Sequence, residues 1–297
     1  MIETFDIETL AGDRSDAPTR WRFNRAWLGL VPFVSFLVLF LIIPAIGVMG
    51  KGFHNDAGQW SLSTMRLALT KEKAAFLNSA RTSLVTALLG VIMGTMIAYA
   101  AATAKRPRWL RSLVSSFSGV AANMGGVILA FAFLSLLGRQ GIGTKVLKSG
   151  GYTLYNGHFE LSKPRGLGTV YLYFQIPLMV LVTLPAIDGL KQSWREATAS
   201  LGGSTWTYWR RVGIPVLAPS LLGGFLLLFA NAFSAFATAA ALGANNFVPT
   251  KISFYFQGDN TGKSAIPYAL ASWMVILMAV SMAGYLVLRK WAERWRA

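Results

Sequence analysis

Six apolar stretches constrain what this chain can fold into: residues 27–49, 80–104, 112–137, 168–190, 216–243 and 265–289. Each exceeds the roughly 20 helical residues that cross a hydrocarbon core of about 30 Å. A backbone surrounded by lipid must satisfy its own hydrogen bonds, so runs of this length predict α-helices and not strands. The expected fold class is all-α: a polytopic membrane protein whose six transmembrane helices occupy residues 27–289. A polar segment, 1–26, precedes them and a short tail, 290–297, follows.

The first stretch follows Arg20, Arg22 and Arg25, yet it is longer than the apolar core of a signal peptide and no small-residue cleavage site follows it. It is read as a retained span. Only 13% of residues are charged, about half the share found in soluble domains, which argues against an ordinary cytosolic enzyme.

The net charge is +16. On a soluble chain such an excess suggests nucleic acid, but membrane proteins concentrate Lys and Arg in their cytoplasmic loops, and no nucleic-acid partner is expected here. The short connection 105–111 holds Lys105, Arg106, Arg108 and Arg111 and no acid. This loop predicts that both termini, the 105–111 connection and the 191–214 loop are cytoplasmic.

Catalytic chemistry has little to build on. The chain has no cysteine and two histidines, His54 and His158, too far apart in sequence for a metal-ligand spacing. No catalytic residue and no metal site is expected. The segment from Gln257 to Ser264 imitates a phosphate-binding loop, but its first position is Gln where Gly is required, and it sits between two spans and not between a strand and a helix. In the external loop 138–167, Asn156-Gly157 between β-prone residues predicts a hairpin. It either meets a partner outside the membrane or is an ordinary turn.

Within the spans, Gly90, Gly94 and Ala98 place small side chains on one helix face, where another helix can approach closely. Asn231, Ser234 and Thr238 share a face of the fifth span, the third adds Asn123 and the fourth Gln175. These polar groups either line a pathway or hydrogen-bond between helices. No acid lies in the middle of a span, against a proton- or sodium-coupled carrier, which usually needs one.

The loop between spans four and five, 191–215, is the most informative segment. Trp194, Ala197 and Leu201 mark an apolar stripe on a first short helix, Gly202-Gly203 end it, and Ser204 caps a second helix running to Val212. Arg210 and Arg211 then fall at that helix's C-terminus, and Pro215 closes the unit before span five. Trp194, Trp206, Tyr208 and Trp209 either form a protein interface or anchor the loop at the membrane surface.

This loop resembles one in the permease subunits of binding-protein-dependent ABC importers, the MetI-like type I family. Their loop reads E-A-A-x-x-x-G, nine residues, then I-x-L-P. Here Glu196, Ala197, Thr198 and Gly202 are followed, at the same spacing, by Val212, Ile214 and Pro215. Thr198, Val212 and Ile214 are small departures.

The resemblance implies a type I ABC importer permease fold in the plasma (inner) membrane of a prokaryote, in which loop 191–215 seats coupling helices in a separate ATPase, Glu196 making polar contacts and Gly202 the turn. It implies four kinds of partner: two cytoplasmic ATP-binding subunits, a second permease subunit in a homo- or heterodimer, an extracytoplasmic solute-binding protein, and membrane lipid. No cofactor is expected on this chain, ATP and Mg being held by the partner ATPase. Ser200-Leu201-Gly202-Gly203 looks like the branch that imports polyamines, iron, thiamine or phosphonates; a sugar or glycerol-phosphate permease is the alternative, and a stand-alone secondary transporter or channel the rival class.

Overall fold

The computed structural model describes residues 26–55, 57–104, 109–155, 159–258 and 264–294. The N-terminal segment before Ala26, the basic residues 105–108, the Asn156-Gly157-His158 turn, the tip of the phosphate-loop mimic at 259–263 and the last three residues lie outside the described residues. Among those described, every regular element is a helix, and six are long and apolar enough to cross a membrane.

The chain divides into two units, Met1–Gly47 and Val48–Ala297. In the first, α1 (Ala26–Leu37) passes through a π-turn at Val38–Ile42 into α2 (Ile43–Gly52), which continues across the boundary. From Gly29 to Gly47 the side chains are exposed apart from half-buried Leu37, as suits a helix whose solvent is lipid.

The second unit contains α3 (Ser63–Lys71), α4 (Lys73–Thr103), α5 (Trp109–Asn123), α6 (Gly126–Leu137), α7 (Ile142–Ser149), α8 (Pro164–Asp188), α9 (Gln192–Ser200), α10 (Thr205–Tyr208), α11 (Ile214–Ser234), α12 (Phe236–Ala241), α13 (Val248–Gly258) and α14 (Ile266–Arg294). Its centre is the packing of α4, α8 and α11. Lipid tails are as apolar as leucine, so close van der Waals fit must hold such helices together.

The small-residue stripe of α4 serves that fit. A Cβ on Gly94 would lie 2.6 Å from Met179 Cβ and 2.8 Å from the Ile176 carbonyl of α8, and one on Gly90 would lie 2.6 Å from Leu228 Cδ2 of α11. Ala98, next on the stripe, is fully buried.

Two of the apolar stretches are not continuous helices. The third breaks between α5 and α6, at Met124-Gly125, with Gly126 at φ +75°; the long apolar run resumes at Gly126 and ends at Ser149. The fifth breaks at Ala235, between α11 and α12. A break at membrane depth frees backbone groups that need new partners. Tyr171 of α8 supplies one, its hydroxyl donating to the Ala235 carbonyl at 3.0 Å.

The expected hairpin is not seen in the described part of its loop. Tyr152–Tyr155 and Phe159–Leu161 form no strand, and α7 precedes them. Tyr155 is held in place by donating to the Leu137 carbonyl at 2.6 Å and by an edge contact with Phe159.

Both ends of the second unit are tied. At one, Arg111 at the start of α5 pairs with Asp188 at the end of α8. At the other, α13 is clasped by the start of α4: Ser79 Oγ accepts from the Val248 N–H at 2.9 Å, Asn78 donates to the Asn246 carbonyl, and Glu72, only 7% exposed, receives the Tyr255 hydroxyl at 2.7 Å with Lys251 Nζ 3.4 Å away.

Candidate functional site

The 191–215 loop does form two helices joined by a sharp turn. Helix α9 ends in a Schellman arrangement: the Gly203 N–H donates to the Thr198 carbonyl and the Gly202 N–H to the Ala199 carbonyl, both at 2.9 Å. Gly202 stands at φ +75°, which a residue with a Cβ adopts only with strain. Gly203 is needed for space, since a Cβ there would sit 2.7 Å from Thr198 Cγ2. Ser204 caps α10 as the sequence predicts, its Oγ accepting from the Thr207 N–H at 3.2 Å.

The second helix departs from expectation. It does not stop at Val212, and Pro215 does not close the unit; α10 runs through a π-turn at Trp209–Gly213 directly into α11. The physical reason is Pro215 itself. It has no N–H to donate and its ring crowds the carbonyl four residues back. The π-turn adds one residue to the ladder, the Ile214 N–H reaching back five positions to the Trp209 carbonyl, and the helix continues unbroken. Arg210 and Arg211 are therefore in mid-helix and not at a C-terminus.

The aromatic residues divide by role. Tyr208 is 5% exposed and Trp209 packs inward, so these two belong to the bundle, while Trp206 and Leu201 are 68% and 88% exposed. Glu196 is also exposed, its Oε1 accepting from Gln192 Nε2 at 2.8 Å on the same helix. Ala197 is exposed and Thr198 half-buried, its hydroxyl donating to the Trp194 carbonyl. Val212 is half-buried, Ile214 and Pro215 exposed. The helix pair thus exposes Leu201 and Trp206, while Glu196 and Gln192 border the space behind α9. Behind it a cavity of about 590 Å³ separates α9 from the ends of α4 and α8, lined among others by Tyr99, Asp188 and Trp209.

A second cavity, of about 630 Å³, opens where the two helix breaks meet. Asn123, Asn231, Ser234 and Thr238 line it, with Gly126 and Phe236 from the breaks. Among the described residues its wall has no charged side chain. The Asn231 carboxamide makes no hydrogen bond among the described residues, whereas Asn123 donates to the Gly119 carbonyl and Ser234 to the Ala230 carbonyl. Thr238 is 2% exposed and spends its hydroxyl on Gly126.

Gln175 is not part of this cavity. It is fully buried, its Nε2 donating to the Leu228 carbonyl at 3.3 Å while Oε1 is unpartnered among the described residues. Sequence reading missed the breaks at Met124-Gly125 and Ala235 that create the cavity. Gly125-Gly126 was the available signal for the first; nothing near Ala235 marks the second.

Residues 90–294 match the family model described as binding-protein-dependent transport system inner membrane component. Among curated proteins, the molybdenum transport system permease protein ModB of Mycobacterium bovis is 26% identical over 273 residues, covering 91% of this chain and 94% of the relative. The probable sulfate transport system permease protein cysT of Helicosporidium sp. is 23% identical over 214 residues, covering 71% and 74%. Among solved structures, a chain of a bacterial ABC transporter involved in the import of the acidic polysaccharide alginate superposes with a TM-score of 0.65 at 16% identity, covering 91% of this chain and 95% of that one. The chain belongs to the family of binding-protein-dependent transport system inner membrane components, the permease subunits of ABC importers.

Proposed function

We propose that this permease carries a small oxyanion of the sulfate or molybdate kind through the uncharged cavity between its two helix breaks, driven by a separate ATPase docked on loop 191–215. The observation that carries the coupling is the Schellman-turned helix pair: a unit with Leu201 and Trp206 exposed, the Glu196 carboxylate accessible on α9, and a continuous helical connection into α11. Closure of two ATP-binding subunits against such levers shifts a bundle between two packings. A second permease subunit completes the pathway, and an extracytoplasmic binding protein delivers the solute. In this reading both termini and the 191–215 loop are cytoplasmic, the alginate transporter having been solved with its periplasmic protein.

The solute assignment is supported by the relatives named for sulfate and molybdenum transport, and it replaces the polyamine, iron, thiamine and phosphonate branch suggested by the residues around the motif. A neutral donor such as the Asn231 carboxamide suits an oxyanion in transit, because it hydrogen-bonds it without holding it too tightly to leave.

Purification from the native membrane in mild detergent, through a tag on the C-terminus, tests the coupling. Recovery of an ATP-hydrolysing subunit supports the reading; a chain that purifies alone under conditions preserving other membrane complexes moves it to a stand-alone carrier. Uptake of radiolabelled sulfate and of molybdate by the reconstituted complex tests the solute, and transport of neither removes that part.

A further inference from the structure

The outward face of α9 and α10 accounts for docking, but not for how displacement of the loop reaches the bundle. The cavity behind α9 leaves that helix without solid packing against the ends of α4 and α8. Force must cross where side chains touch, and Trp209, which borders that cavity and packs on the bundle beside it, is such a place.

Trp209 is the first residue of the π-turn. Its indole meets Tyr99 of α4 edge-on, with centroids 5.3 Å apart and planes at 77°, and Tyr208 in the same manner at 5.6 Å. On its other side it lies against Gly213, one turn further along, where a Cβ would come within 2.8 Å of Cζ3. It packs as well on the buried cluster formed by Ala98 and Ala101 of α4, Val180, Leu184 and Ile187 of α8, and Leu217 of α11. One ring from a residue that belongs to the loop therefore meets α4 directly and packs against a cluster to which α4, α8 and α11 all contribute.

The π-turn explains how this is achieved. An extra residue in the helical ladder rotates everything before it by roughly 100° relative to a regular helix, because each residue of an α-helix turns through a 3.6th of a circle. Pro215 keeps the ladder from closing regularly, and Gly213 leaves room for the ring.

The geometry points to Trp209 as the positioning residue that transmits movement of α10 to α4 and α11 together, with Tyr99 and Gly213 as its two seats. The inference rests on the coupling function proposed above. A tilt of α10 carries the indole with it; since close-packed side chains do not compress, Tyr99 and Gly213 follow.

The test uses the whole complex in proteoliposomes and reads solute taken up per ATP hydrolysed, together with retention of the ATPase on the permease. Trp209→Leu keeps an apolar side chain but removes the ring, and the ratio is expected to fall about five-fold or more while the ATPase stays bound and active. Trp209→Phe restores an edge to Tyr99 and recovers most of the ratio. Tyr99→Leu, at a partly exposed position, reproduces the defect and stands in for Trp209→Leu should that variant fail to accumulate.

An intact variant complex with an unchanged ratio overturns the inference. So does loss of the ATPase from the complex, which makes Trp209 a docking residue instead. A wild-type complex that neither retains an ATPase nor takes up solute removes the coupling function itself; wild-type uptake beside unaffected variants removes only the joint.

Discussion

Thr238 and Gly126, 112 positions apart, exchange two hydrogen bonds: the Gly126 N–H donates to the Thr238 hydroxyl at 3.0 Å, and that hydroxyl donates to the Gly126 carbonyl at 3.2 Å. One side chain thus satisfies both backbone groups freed at the first helix break and fastens it to the second. Thr238→Val keeps the shape and leaves the N–H and carbonyl of Gly126 without that partner. A buried group left unpaired costs about 1–3 kcal/mol, so the variant is expected to melt at lower temperature in detergent, and Thr238→Ser to melt near wild type.

Gly94 tests the packing of α4 on α8. Gly94→Val forces atoms into Met179 and the Ile176 carbonyl, and overpacking of this kind costs about 1–3 kcal/mol. Gly284→Ala, with open space around the added Cβ, is the control. Equal thermal stability of the two would mean that α4 and α8 are not held at this distance.

In the coupling loop, Gly202→Val places a β-branched residue at φ +75° and Glu196→Ala removes the exposed carboxylate. Both are expected to uncouple or release the ATPase while all six spans still insert, as read by co-purification and by protease mapping of the membrane-inserted chain. Normal transport in both sinks the lever assignment.

Asn231 has a carboxamide facing the 630 Å³ cavity with no partner among the described residues. Asn231→Leu is expected to reduce solute uptake severalfold with the ATPase still attached, an effect of the size that loss of one hydrogen bond of about 1 kcal/mol produces. A fall in melting temperature in its place would assign the residue to bundle stability.

Tyr255, outside the six spans, has its phenol pushed up to about 12 by burial first and by its hydrogen bond and proximity to Glu72 next. A phenol raised above its unfolded value near 10 keeps its proton longer in the folded state. Its contribution to stability is therefore complete below pH 10 and is lost as pH rises through about 12. Titration followed by tyrosinate absorbance should reveal a phenol ionising near pH 12 that disappears in Tyr255→Phe, and that variant should lose less stability than wild type between these pH values.

The sequence by itself determined the helical class, the number of spans, the small-residue face of α4 and the two-helix loop with its turn at Gly202. Each of these follows from local rules: an apolar run of sufficient length must be helical in lipid, and a glycine after a helix ends it. What only the tertiary structure decided are the places where distant residues supply what local geometry lacks. The helix break at Ala235 exists because the Tyr171 hydroxyl donates to its stray carbonyl, and the one at Gly126 because Thr238 satisfies it; neither partner is near in sequence. The continuity of α10 into α11 was equally hidden, because Pro215 in a sequence reads as a stop, and becomes a π-turn only when Trp209 finds Tyr99 and Gly213 to lie between. Asn231 and Gln175 look alike in sequence as polar residues within apolar runs. Their surroundings separate them, one amide facing a cavity and the other sealed against the Leu228 carbonyl, because the fold determines which side of a helix meets empty space.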